Sequence, residues 1–252
     1  MALVLGETTA GALALLWLAP LWNEVKRGYF KLTGSILVVL AFFTWFSANA
    51  GAQPGDERGA WAVRLALATL GLTAIWTALT FVKRWAAARV AGLISVAAAA
   101  ATLVPMAGVA RQGETVALFQ LVAGALFLGS VLDGLLLGHW YLTDRGLTRG
   151  PINRFTMILL AAMVPEAAAV ISGGFGAVGS SSSFNPLLTV GALAPWIALG
   201  SVLTTAVIAA MVKLTLRGDR ASAVQSATGF FYLAVITAFV AELAVKTRFL
   251  PR

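Results

Sequence analysis

Asp133, His139, Glu166 and Glu242 are ionisable residues set inside long apolar runs, and Glu7 stands near the start of the first such run. An ionisable side chain placed in lipid costs about 2.5–3.5 kcal/mol on the insertion scale, so each is a functional candidate by default. Glu166 is the foremost of them. It follows Pro165 directly, and a proline inside a helix frees a backbone carbonyl that can build a polar pocket beside the acid. Asp133 lies in the string Leu132-Asp133-Gly134-Leu135-Leu136-Leu137-Gly138-His139-Trp140-Tyr141, which holds the only histidine of the chain. Asp133 and His139 are separated by about 9 Å along a helix and point about 120° apart, so they should not pair directly. Asp133 and Trp140, one heptad apart, share a face.

Two readings of this string stay open. Asp133 is a buried protonatable group, and His139, with Trp140 and Tyr141, offers hydrogen bonds to a quinone head group or forms a proton relay. Alternatively His139, Trp140 and Tyr141 form an interfacial aromatic belt, and a neighbouring helix holds Asp133. Glu242 precedes Lys246 by four residues, a spacing that suits a helical ion pair worth a few tenths of a kcal/mol. Glu7 reads as an acid placed to suit the positive end of a helix dipole. No zinc, nucleotide or Ser–His–Asp pattern stands out. One histidine cannot supply bis-histidine haem ligation, and the absence of cysteine excludes disulfides, thiolate metal sites and iron–sulfur ligation.

The elements that position these residues follow from composition. Of 252 residues, 60% are hydrophobic and 11% charged, against roughly 25% charged in a soluble domain. The expected fold is an all-α integral membrane protein, a single polytopic domain over 1–252. A spanning helix needs about 20 mostly apolar residues. Eight segments qualify, at roughly 4–23, 31–49, 61–82, 89–110, 115–141, 154–174, 188–212 and 223–245. Pro105, Pro165 and Pro195 fall inside spans, where they would kink or locally open a helix. The N-terminal residues lack a basic region and carry Glu7 early, which argues against a cleaved signal peptide.

The net charge of +8 would suggest nucleic acid in a soluble protein. Here the basic residues cluster between apolar runs, so they read as topology signals and lipid head-group contacts, with no nucleic acid as partner. Twelve of them (Lys26, Arg27, Lys31, Lys83, Arg84, Arg89, Arg145, Arg149, Arg154, Lys213, Arg217, Arg220) occupy one set of connections. Three (Arg58, Arg64, Arg111) occupy the other. The positive-inside rule then places both termini outside, although Lys246, Arg248 and Arg252 oppose it. The connection from Gly173 to Pro186 is uncharged and rich in Gly and Ser, with Ser180 to Ser183 in a row.

Ala10-Gly11-Ala12-Leu13 matches Ala123-Gly124-Ala125-Leu126, which sets Glu7 opposite Gln120. Such a match admits parallel halves, 1–112 and 113–252, as two four-helix bundles. Gly134 and Gly138 give a small-xxx-small face for close helix packing.

Eight spans with both ends outside, and the ending Ala241-Glu242-Leu243 followed by Arg248-Phe249-Leu250, resemble the quinol-interacting membrane-anchor subunits of the polysulfide reductase and dimethyl sulfoxide reductase class. That resemblance implies two four-helix bundles in a bacterial cytoplasmic (inner) membrane. It implies a quinone-binding subunit of a multi-subunit respiratory or electron-transfer complex, with quinone as the only cofactor and redox subunits and membrane lipid as partners. It also gives Glu242 more weight than an ion-pair partner. Two other classes remain open from the residues: a proton- or cation-coupled secondary transporter using Asp133 and Glu166, and an assembly or scaffold protein without chemistry of its own.

Overall fold

The computed structural model describes residues 1–22, 24–109, 113–144, 146–175, 190–217 and 222–249. Arg111, Arg145, Arg220 and the Ser180–Ser183 run lie outside them, as do Leu250 and the side chain of Arg248. The described residues contain helices and connections and no strand, with eight segments each long and apolar enough to cross a membrane. They are α1 (Ala2–Leu16), which reaches spanning length with the residues that carry it on to Leu21, then α2 (Arg27–Gly51), α3 (Glu57–Phe81), α4 (Trp85–Ala107), α5 (Glu114–Thr143), α6 (Gly150–Ser172), α7 (Val190–Arg217) and α8 (Ala223–Lys246). Short 3₁₀ turns follow α1 at Ala19–Trp22 and α8 at Thr247–Phe249. Pro105, Pro165 and Pro195 sit within α4, α6 and α7, which continue through them.

Helix starts differ from the expected spans by several residues. α2 begins at Arg27, α3 at Glu57 and α6 at Gly150, each ahead of its apolar run. Hydropathy marks the lipid-compatible stretch, whereas the first helical turn accepts charged residues and, in α6, Pro151, whose missing N–H is no loss there.

Side-chain burial is inverted relative to a soluble bundle. Outward faces carry large apolar residues such as Phe42, Phe43, Phe46, Leu203 and Ile236, while much of the interior is Ala, Gly and Thr. Lipid is as apolar as leucine, so large side chains gain little by facing inward and small ones let backbones approach. Hydroxyl pairs join neighbouring helices at Thr9–Thr44 (2.9 Å), Thr73–Ser95 (2.7 Å) and Thr205–Thr237 (2.7 Å). Each of these threonines also lies within hydrogen-bond distance of a carbonyl four residues back on its own helix, so the single proton of each hydroxyl has an acceptor without water, either that carbonyl or the facing hydroxyl.

Within the first half α1 meets α2, α2 meets α3, α3 meets α4, and α4 returns to α1. The second half repeats the circuit from α5 to α8. The two circuits join chiefly through α1 against α5. Glycine makes that contact possible: a methyl group on Gly11 would fall 1.7 Å from the Ala125 carbonyl oxygen, and one on Gly129 would fall 2.3 Å from the Gly11 carbonyl carbon. α1 and α5 are therefore the most enclosed helices, and polar residues on their facing sides are cut off from the periphery.

Candidate functional site

Four ionisable side chains from three helices meet where α1 and α5 begin and α8 ends. Glu7 (α1), Glu166 (α6), Glu242 and Lys246 (both α8) are each 6% exposed or less. The Lys246 ammonium lies 2.6 Å from Glu7 Oε1 and 3.0 Å from Glu242 Oε2. Glu166 faces the same group and interacts electrostatically with Glu242, Lys246 and Glu7. Among the described residues, Glu7 Oε2, Glu166 Oε2 and Glu242 Oε1 are buried and have no hydrogen-bond partner.

Helical register explains the convergence. Glu7 is five residues from the start of α1, Glu166 six from the end of α6, and Gln120 six from the start of α5. At 1.5 Å per residue these positions share a depth of about 8–9 Å from the helix ends. Gly124 opens the space on α5: a methyl group there would lie 2.7 Å from Glu242 Oε1 and 2.8 Å from Glu7 Oε1. Gln120 closes the other flank, donating through Nε2 to the Ala169 carbonyl at 3.0 Å.

Two expectations are corrected here. Glu7 is not in the first turn of its helix and serves as a buried ion-pair partner. Glu166 lies deeper into its helix than a start at 154 implied, because α6 begins four residues earlier, at Gly150, and it is six residues from the end at Ser172. The Glu242–Lys246 pair has the spacing expected, but it is buried and shared with a third residue, which no i, i+4 pattern can report. Sequence reasoning assigned Glu7 and Lys246 only local roles, as a helix-dipole acid and an i, i+4 partner, and did not bring the two together. The alignment of Glu7 with Gln120 is a usable signal, since Glu7 belongs to this group and Gln120 lies one turn from Gly124, which packs against it.

Asp133 occupies a separate place on α5. It is fully buried, and neither carboxylate oxygen has a hydrogen-bond partner among the described residues. The neighbouring helix contacts its backbone: the Tyr29 hydroxyl donates to the Asp133 carbonyl at 3.4 Å. Tyr29 also packs against Trp140, with ring centroids 6.5 Å apart, so Asp133 and Trp140 do share a face. The Trp140 ring lies against Gly28 as well.

His139 points elsewhere. Its Nε2 is 2.6 Å from the hydroxyl of Tyr232 on α8, and its Nδ1 is 3.3 Å from the Leu135 carbonyl. If Nδ1–H donates to that carbonyl, Nε2 accepts from the tyrosine. Tyr232 is half exposed on the outer surface. Tyr141 is buried and donates to the Thr148 carbonyl, which ties α5 to the following connection. The six candidates thus divide: Glu166 and Glu242 join one cluster, Asp133 and Trp140 flank Tyr29, His139 faces the periphery, and Tyr141 holds a loop.

Ion pairs report which connections are neighbours. Lys26 meets Asp144 at 2.8 Å and Glu24 meets Arg154 at 2.6 Å, so the α1–α2 and α5–α6 connections lie together. At the opposite end Arg58 reaches the Gly108 carbonyl at 3.2 Å and Glu114 at 3.4 Å. Hydrogen bonds from Thr148 and Arg154 hold the Glu24 carboxyl below the usual carboxylate range. A lowered folded-state value means that this link stabilises the structure above the ordinary glutamate range and is lost as pH falls through the lowered value. Protection factors of amides in the α1–α2 connection, corrected for the intrinsic pH dependence of exchange, should therefore fall on acidification, and Glu24→Gln should remove that dependence. Unchanged protection in the wild type down to the acid limit would contradict it.

Among the described residues no group of three His, Cys, Asp or Glu side chains is arranged to hold a metal ion. Comparison of the chain with protein families, with curated proteins and with solved structures finds no match.

Proposed function

We propose that this chain is a multi-pass membrane protein, both termini outside, that moves protons across the bilayer as a proton-coupled transporter, with the Glu7–Glu166–Glu242–Lys246 cluster as its exchange site. The single observation that supports this is the charge imbalance: three buried carboxyl groups face one ammonium. Full ionisation would leave two uncompensated negative charges at a depth where each costs several kcal/mol. The group is relieved by binding cations. A proton fits better than a metal ion, because Lys246 already bridges the carboxylates where a cation would sit. Asp133 provides a second station on α5, nine residues, or about 13–14 Å, beyond Gly124, which packs against the cluster. The similar helix circuits of 1–112 and 113–252 support a parallel four-plus-four repeat with α1 and α5 on its axis.

The test is proton uptake into proteoliposomes carrying a pH-sensitive dye, driven by a potassium diffusion potential, with sodium and potassium fluxes measured in parallel. Wild-type uptake should fall at least about tenfold in Glu166→Gln, equivalent to about 1.4 kcal/mol on the rate-limiting step. Wild-type vesicles that take up protons no faster than Glu166→Gln vesicles overturn the reading, whatever the sodium and potassium fluxes show.

A second reading is favoured by His139 and Tyr232. A hydrogen-bonded imidazole–phenol pair at a lipid-facing surface can present a proton to a quinone carbonyl; the resemblance to quinol-interacting anchor subunits implies the quinone but assigns no role to His139. The chain would then be a membrane subunit of an electron-transfer complex. Quinone that co-purifies with the wild type but not with Tyr232→Phe would support it; equal retention by both would reject it.

A further inference from the structure

A concave site lies at the other end of the first half, where α1 and α3 end and α2 and α4 begin. Its volume is about 270 Å³, and its lining includes Trp17, Phe30, Trp76 and Trp85 with Arg27 and Arg89. This is the end that carries the basic connections with Lys26, Lys31, Lys83 and Arg84.

The walls are built for the cavity. Gly92 lets the Trp17 indole lie against α4, since a methyl group there would fall 2.1 Å from the Trp17 ring. Trp17 and Trp76 meet at 6.3 Å between ring centroids, tilted by 47°. The turn into α4 is also unusual: Lys83 adopts a left-handed conformation (φ 61°), and Arg84 N–H bonds back to Leu79 O at 2.9 Å while Lys83 N–H reaches Thr80 O at 3.3 Å. That pair of bonds is the helix-ending motif normally completed by glycine. It turns the chain sharply, so that Trp85 and Arg89 face the same cavity.

The electrostatics favour an anion. The Arg27 guanidinium stacks on the Trp85 ring at 4.6 Å. Among the described residues neither Arg27 nor Arg89 forms an ion pair with an acid, and no acidic residue lines the cavity. Trp17 Nε1 is buried and has no hydrogen-bond partner among them. α2 and α4 both begin here, and neither has a side-chain cap on its first N–H groups, so two positive helix ends converge. Guanidinium forks match phosphate geometry, and the indole and phenyl walls suit the glycerol and first methylenes of a chain entering from lipid.

We infer that this cavity binds the phosphate head of an anionic amphiphile, with Arg27 and Arg89 as phosphate ligands and Trp17 Nε1 as a further donor. Basic pockets between spanning helices at a cytoplasmic-type surface bind such head groups. The phosphate can belong to a bilayer lipid or to a soluble phosphate compound, and competition separates the two. The site shares no residue with the carboxylate cluster, so it stands whatever that cluster does.

The experiment is native mass spectrometry of the full chain in detergent, offered equal amounts of dioleoylphosphatidylglycerol and dioleoylphosphatidylcholine. The wild type should retain phosphatidylglycerol with a preference of about tenfold or more. Arg27→Gln/Arg89→Gln should lose that preference, and Arg217→Gln, on α7 and away from the cavity, should keep it. Inorganic phosphate that leaves the lipid adduct intact supports a lipid head group. Phosphate that displaces it supports the site and assigns it to a soluble phosphate. Equal retention of the two lipids by the wild type, which needs no variant, overturns the inference, as does an unchanged preference in the double variant.

Discussion

Replacing Lys246 by methionine should destabilise the protein by about 3–5 kcal/mol, the cost of leaving buried charge without its partner. The lysine stands between Glu7 and Glu242 at 2.6 and 3.0 Å, and no other basic side chain contacts either acid among the described residues. Methionine keeps much of the apolar stem, so the loss is of charge rather than of packing. In a domain of this size the change corresponds to a fall in thermal midpoint of roughly 10 °C, readable by intrinsic fluorescence in detergent. The quadruple variant Glu7→Gln/Glu166→Gln/Glu242→Gln/Lys246→Met removes both signs of charge from all four members and should recover most of the loss, because neutralising a whole buried network is far cheaper than halving it. A Lys246→Met protein that melts with the wild type would show that the cluster is not held by its ammonium.

Gly11→Ala should cost about 3 kcal/mol, at the upper end for overpacking. The added methyl group would stand 1.7 Å from a carbonyl oxygen and 2.5 Å from the carbonyl carbon of Ala125. Both are backbone atoms of a neighbouring helix, so no rotamer change relieves the clash; α1 and α5 must separate. Because the two halves join mainly along this line, the effect should reach beyond one helix and also loosen the carboxylate cluster, whose α1 member is one turn away. Gly71→Ala and Gly200→Ala are the controls. Neither position has a heavy atom within 4 Å of the added carbon, so both should be neutral or gain up to about 1 kcal/mol from helix propensity. Thermal denaturation of the three variants decides the matter, and a Gly11→Ala protein as stable as the wild type would refute the packing argument.

The sequence by itself determined that the chain is a set of eight apolar helices, because twenty-residue hydropathy is a local quantity and lipid permits little other than helix. It also determined the Glu242–Lys246 spacing and the shared face of Asp133 and Trp140, since both follow from helical periodicity alone. Helix starts at Arg27, Glu57 and Gly150 lay outside that signal: a first turn can be charged or proline-bearing without ceasing to be helical. The meeting of Glu7 with Lys246, of His139 with Tyr232, and of Arg27 with Arg89 around a tryptophan-walled cavity was decided only by the tertiary structure. Those contacts depend on which helices lie side by side. In a chain whose interior is largely Ala, Gly and Thr, that choice rests on how closely backbones fit at a few glycines such as Gly11, Gly92, Gly124 and Gly129, and the many alanines and glycines elsewhere in the sequence give no local mark that distinguishes them.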